Sequence, residues 1–192
     1  MSGAFRLALD CSTEYLAVAL IDEQDRVTAA ESTAVGRQHA ARLPTALQAL
    51  LADAEVERSA LVGLRVGVGP GSYTGIRVAL ATAKGLARAL GIELAGVSSF
   101  VGLAAAVLEP GSEALVTLDA RRGNVYAQVC RRESDGASGA AARVTTLSEA
   151  VKLPVSEVAA RFPGLALVPA QGFDAAALAG SGQLIAPKAV YL

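Results

Sequence analysis

The first stretch of this chain with chemical possibilities is a glycine-rich block, Gly69-Pro-Gly-Ser-Tyr-Thr-Gly75. It joins a strand-like run over residues 61–68 to a helix-like run, so backbone N–H groups and a helix N-terminus could meet an anion there. Its spacing matches neither standard phosphate motif. No Lys-Ser/Thr follows the last glycine, and the pattern G-x-G-x-x-x-G is one residue longer than the dinucleotide fingerprint. Ser72 does not sit in a G-x-S-x-G elbow, and His39 has no acid at a telling spacing. Two readings of the block stand: an anion site, or a tight turn that packs closely and offers Tyr73 to a partner.

A second candidate is Asp10-Cys-Ser-Thr13, which resembles the first phosphate loop of the actin/Hsp70/sugar-kinase ATPases. An acid at a strand end can orient a metal-bound water, and the hydroxyls of Ser12 and Thr13 can approach phosphate. The same residues also make an ordinary turn. Asp119 is the matching acid of a later hairpin. With Asp10 it defines the competing function, an ATP-binding small-molecule kinase or ATPase. A late glycine pair for adenosine is missing, Gly180-Ser-Gly182 being a poor substitute, so weak or no independent ATP hydrolysis is expected.

Metal chemistry has little to draw on. One histidine and two cysteines without metal-type spacing leave too few ligands for a zinc site or a metallopeptidase. No metal and no cofactor are expected.

The elements that must hold these residues read as an α/β chain. Apolar runs at 5–9 and 15–21 and a return at 26–31 predict a hairpin meander at a sheet edge. Residues 38–52 switch to helical spacing, with Leu43, Leu47, Leu50 and Leu51 on one stripe and Pro44 in the first turns. Residues 75–90 predict a helix with Ile76, Leu80, Ala83, Ala87 and Leu90 near one face, ended by Gly91. Its many small residues, which also include Ala79, Ala81 and Gly85, suit close packing against the chain's own sheet or against a partner helix. A strand at 92–97 and a helix capped by Ser98 and running to 108 follow.

Glu109-Pro-Gly-Ser112 breaks the pattern and divides the chain into units 1–108 and 109–192. Across that break, Val116-Thr-Leu-Asp119 leads through a polar turn into Val125-Tyr-Ala-Gln-Val129, as Leu7-Ala-Leu-Asp10 leads into Leu16-Ala-Val-Ala-Leu20. This strand–Asp–turn–strand repeat raises a duplicated α/β unit, although any two hairpins look partly alike. Beyond it the signal fades: a loop over 133–142, one or two short helices over 148–161 interrupted at Pro154, a strand at 165–168, and a short helix over 173–178.

Composition bounds the setting. The apolar share is 53%, much of it alanine, with no run long enough to span a bilayer and no basic-then-apolar leader. A soluble cytoplasmic protein without membrane contact is expected. A formal charge of −1 provides no global attraction to nucleic acid. Arg121, Arg122, Arg131 and Arg132 bracket one strand, and solvated strand ends are favoured over contacts to nucleic-acid phosphate.

In this order the segments resemble the TsaB (YeaZ) family. They are Leu7-Ala-Leu-Asp-Cys-Ser-Thr13, Gln38-His39 with Leu43-Pro44, Val68-Gly-Pro-Gly-Ser-Tyr-Thr-Gly-Ile-Arg77, Lys84-Gly-Leu86, Gly96-Val-Ser98, and Leu118-Asp-Ala-Arg121 with Gly123 and Val125-Tyr126. The resemblance implies two ribonuclease-H-like units of the actin/Hsp70 (ASKHA) type, the second shortened. It implies a non-catalytic subunit that pairs with TsaD and the ATPase TsaE for threonylcarbamoyl transfer to adenosine 37 of tRNAs reading ANN codons. The tRNA is then met indirectly, and a homodimer is expected when TsaD is absent. The partner surface implied is His39, Leu43, Leu47, Tyr73, Ile76, Arg77, Leu80, Ala83, Lys84 and Ala87. Two departures stand out: the family usually has an acid where Asn124 stands, and relatives carry a longer second unit with a Tyr-Leu-Arg ending.

Overall fold

The chain opens with β1 (Phe5–Asp10), β2 (Tyr15–Ile21) and β3 (Val27–Ala34), an antiparallel meander. A computed structural model describes residues 3–134 and 139–190. Helix α1 (His39–Asp53) follows. Next come β4 (Leu61–Gly67), α2 (Tyr73–Leu90) and β5 (Glu93–Val97), a strand–helix–strand crossover that sets β4 and β5 parallel to each other. The first sheet therefore runs β3-β2-β1-β4-β5, with β4 parallel to β1. Alternation along β1 decides both faces. Phe5, Leu7 and Leu9 pack with Leu43, Leu47, Ile76 and Leu80 of α1 and α2, while Ala8 faces the opposite cluster.

Helix α3 (Ser99–Val107) leads to β6 (Glu113–Asp119) and β7 (Asn124–Arg132), an antiparallel pair. Strands β8 (Val144–Thr146) and β9 (Val151–Pro154) both pair with β7, and β10 (Leu167–Pro169) lies parallel to β6. The second sheet thus places a parallel strand beside the first strand of a hairpin, as the first sheet does with β4 and β1.

A short helix α4 (Val158–Arg161) lies near the outer face of the second sheet, and α5 (Ala175–Gly180) returns to the first sheet. One apolar cluster joins Ala17, Ala19 and Ile21 of β2, Phe100 and Leu103 of α3, Val116 and Cys130 of the second sheet, and Leu178 of α5. Helix α3 lies against the second sheet and α5 against the first, so each sheet borrows a helix from the other half of the chain.

The expected strands, the break at 109–112 and the helices near 38–52 and 75–90 lie where the patterns put them. Helix α2 starts at Tyr73, inside the glycine block, because Ser72 Oγ accepts from Gly75 N at 3.2 Å and caps it. One reading needs correction: residues 151–154, expected within a helical stretch, form strand β9. Leu153 is buried with the outer cluster of the second sheet and Val151 packs beside it, while Lys152 is exposed; Pro154 is tolerated at the end of an edge strand. Of the loop expected over 133–142, residues 135–138 lie outside the described residues, as do 191–192 of the tail. Among the described residues, no helix is long and apolar enough to cross a membrane.

Candidate functional site

The two candidate loops meet. The turn after β1 lies directly under the glycine block, with Ser72 N–H donating to the Ser12 carbonyl at 2.6 Å. A Cβ at Gly75 would fall on the Cys11 carbonyl, and one at Gly71 on the Ser12 carbonyl, both far inside van der Waals contact. Glycine is required there because backbone lies against backbone with no side chain to move aside. Three amides of the block are engaged within the chain: Gly69 N–H donates to Ser99 Oγ at 3.0 Å, and Ser72 and Gly75 are paired as described. The packing reading accounts for these close backbone approaches. The Gly69–Pro70 peptide is cis.

Asp10 is fully enclosed at the end of β1. Its Oδ1 accepts from Ser12 N at 2.5 Å and its Oδ2 from the Ser99 hydroxyl at 2.6 Å. Both oxygens therefore act as internal fasteners between the first loop and the start of α3. Burial pushes this carboxyl above the ordinary range, partly offset by those hydrogen bonds and by the charge of His39. The native group holds its proton to higher pH than the unfolded one, so ionisation costs the fold as pH rises from about 4 through the native value. Asp10→Asn removes that component. Urea denaturation from pH 4 to pH 8 is expected to show the wild-type advantage over the variant shrinking as pH rises; parallel curves would refute the assignment.

Ser12 is buried, and Thr13 is half-buried with Oγ1 accepting from Tyr15 N at 3.1 Å. Asp119, the second acid, stands in unlike surroundings. It is exposed at the end of β6, accepts from Arg121 N at 2.8 Å and lies 3.5 Å from the Arg121 guanidinium. Asn124 donates through Nδ2 to the carbonyls of Arg121 (3.3 Å) and Arg122 (3.1 Å), bonds that a carboxylate could not supply. His39 is buried, and its Nε2–H donates to the Tyr15 carbonyl at 3.1 Å, fixing the start of α1 to β2. Cys11 and Cys130 are buried free thiols, and burial pushes Cys130 up to about 12.

The side chains expected at a partner surface divide into two groups. Leu43, Leu47, Ile76, Leu80, Ala83, Ala87 and His39 are buried inside the chain itself. The apolar stripes of α1 and α2 are the faces turned to the first sheet, which claims them first. Tyr73, Arg77 and Lys84 are exposed. Arg77 donates to Tyr73 Oη at 2.8 Å and stacks 5.2 Å above its ring, which holds both side chains at the first turn of α2. The outward face of α2 continues through Ala81, Gly85 and Ala89, and that of α1 through Ala40, Ala41, Pro44, Thr45 and Ala49. Two adjacent helices thus present small residues outward, with Arg77, Lys84 and Arg88 as the charges of the α2 face.

Ser99 is the residue of this junction not singled out from sequence. It bridges Asp10 to the glycine block across 89 positions, and its only local sign was its place beside the Ser98 cap.

Residues 30–172 match the family described as TsaD, tRNA N6-adenosine threonylcarbamoyltransferase. The chain belongs to that family, on its TsaB (YeaZ) branch. The tRNA threonylcarbamoyladenosine biosynthesis protein TsaB of Bacillus subtilis is 39% identical over 120 residues, 62% of this chain and 52% of that protein. TsaB of Escherichia coli is 31% identical over 132 residues, covering 68% and 56%. An uncharacterised Mycobacterium tuberculosis protein is 36% identical over 121 residues, covering 62% and 56%. The chain spans about half the length of the curated relatives it matches. Among solved structures, YeaZ from Pseudomonas aeruginosa superposes with a TM-score of 0.77 at 27% identity, covering 98% of this chain and 100% of that one. The glycine block and the Asp10 loop of this TsaB-family chain are therefore parts of one structural junction.

Proposed function

We propose that this chain is a non-catalytic scaffolding subunit that pairs with TsaD and TsaE for threonylcarbamoyl transfer to adenosine 37 of tRNAs reading ANN codons. The observation that carries the reading is the contrast between its two candidate sites. Asp10, the acid an actin-type ATPase would aim at a nucleotide-bound metal, is enclosed with both oxygens engaged. The outer face of α1 and α2 is exposed, with small residues such as Ala41, Thr45, Ala81 and Gly85 set among Arg42, Arg77, Lys84 and Arg88, so another pair of helices can approach over the small residues and meet those charges. The TsaB names of its relatives support the pathway. The matching arrangement of hairpin and parallel strand in both sheets supports two ribonuclease-H-like units of the ASKHA type, 1–108 and 109–192, with α3 and α5 exchanged between them.

In this reading Tyr73, Arg77 and Lys84 are the partner-facing residues. The chain works in the cytoplasm, self-associates through the same face when TsaD is absent, and meets tRNA through the complex. Co-expression with TsaD from the same organism is expected to yield a stoichiometric complex, with no ATP turnover by the isolated chain. Failure of the two proteins to co-purify would overturn the reading. So would ATP hydrolysis by the isolated chain that disappears in Asp10→Asn.

A further inference from the structure

After α5 the chain runs back along the free edge of the first sheet. Ile185 exchanges two hydrogen bonds with Gly96 of β5, donating at 2.9 Å and accepting at 2.8 Å. Five residues later Val190 N–H donates to the carbonyl of Val68 at 2.8 Å. These anchors lie on neighbouring backbone, since Val68 N–H donates to Val97 O at 3.0 Å. The fit at the first anchor is close: a Cβ at Gly96 would stand 2.7 Å from the Ala186 carbonyl and 2.8 Å from Val68 Cγ1. At the second anchor Ala189 and Val190 pack against the cluster beneath α1 and α2, although Leu184 and Ile185 leave their side chains largely in solvent.

Val68 immediately precedes the glycine block. From Gly69 the connections pass to Ser99, with Ser99 N–H donating to the Gly69 carbonyl at 3.0 Å and Ser99 Oγ accepting from Gly69 N, and through Ser99 to Asp10. The block's other end carries the Ser72 cap of α2. A segment that pins Val68 therefore pins the upstream end of the turn from which α2 departs. It also covers part of an edge strand that would otherwise be open to pairing.

We infer that residues 184–190 are a positioning strap: they clamp β5 and the Val68–Gly69 end of the glycine block, and so fix the direction in which α2 presents Tyr73, Arg77 and Lys84. The consequence for docking rests on the reading that TsaD binds this face. The strap itself is a statement about the isolated chain.

Amide hydrogen exchange and TsaD affinity test it together. The variants are a chain ending at Gln183, Val190→Pro, which deletes one N–H donor, and Val190→Ala, which keeps it. The truncated chain and Val190→Pro are expected to exchange the amides of Gly69 and Ser72 about tenfold faster, with β1 and β2 unchanged. TsaD affinity should fall by about the same factor, and a peptide of residues 183–190 added to the truncated chain should restore both. If the truncated chain fails to fold, Val190→Pro against Val190→Ala decides alone. Equal exchange at residues 68–76 in those two variants overturns the strap. Faster exchange with undiminished TsaD binding overturns its role in docking. A wild-type chain that binds no TsaD refutes the docking reading, and the exchange measurement still judges the strap.

Discussion

Gly75→Ala is expected to destabilise the native fold severely. The added methyl would land on the carbonyl of Cys11, which belongs to the β1–β2 turn. Relief would require parting α2 from β1 at the junction where the Asp10 loop, Ser99 and the glycine block are fastened. Overpacking against side chains typically costs about 1–3 kcal/mol, and a rigid backbone obstacle takes the cost to about 4 kcal/mol or more. That is a large share of the stability of an ordinary domain, roughly 5–15 kcal/mol. Urea denaturation followed by circular dichroism is the measurement. Gly85→Ala on the same helix is the control, because its Cβ would point into open space. It should raise stability by about 0.5–1 kcal/mol through helix propensity alone. A Gly75→Ala protein with a wild-type midpoint would refute the close-packed junction.

The second large effect separates the two faces of α2. Ala83 is completely buried against the first sheet, so Ala83→Glu would place an unpaired carboxylate in the core at a cost of several kcal/mol. The variant is expected to be unfolded or insoluble. Ala81, two positions earlier, faces solvent between Arg77 and Lys84 at helical spacings of four and three. A glutamate there gains ion pairs along its own helix, and the melting temperature should stay within about two degrees of wild type. If this face docks TsaD, Ala81→Glu should weaken the complex at least tenfold, about 1.4 kcal/mol, by introducing a charge where two helices must approach closely. Unchanged affinity in a calorimetric titration would remove the face from the interface.

This contrast shows how far helix periodicity reaches. Leu43, Leu47, Ile76, Leu80 and Ala83 were legible as an apolar stripe, but a stripe does not declare what covers it. The same spacing serves a sheet in the chain or a helix from another chain, and burial assigns these residues to the sheet. The exposed faces of α1 and α2, rich in alanine and glycine, carry no periodic signal against which to recognise them. Strand β9 was missed for a related reason. Four residues with a proline at the end weigh little in local pattern, while pairing with β7 over residues 124–127 decides their conformation. The glycine block was identifiable as a special turn by composition. Whether it holds a phosphate or lies against another loop depended on where Cys11 and Ser12 stand, some 60 positions away in the chain.

Sequence by itself determined the order of strands and helices as far as the second hairpin, the cap at Ser98, the turn at 109–112 and the family resemblance. All of these rest on residues within a few positions of one another, where backbone preference and apolar periodicity act directly. Only the tertiary structure decided that Asp10 is a fastener enclosed by Ser12 and Ser99, that α3 and α5 cross between the sheets, and that residues 184–190 clamp the edge of β5. Each depends on contacts between distant segments. Their strength comes from burial and from hydrogen bonds sheltered from water, which exist only once the two sheets have closed over the shared core.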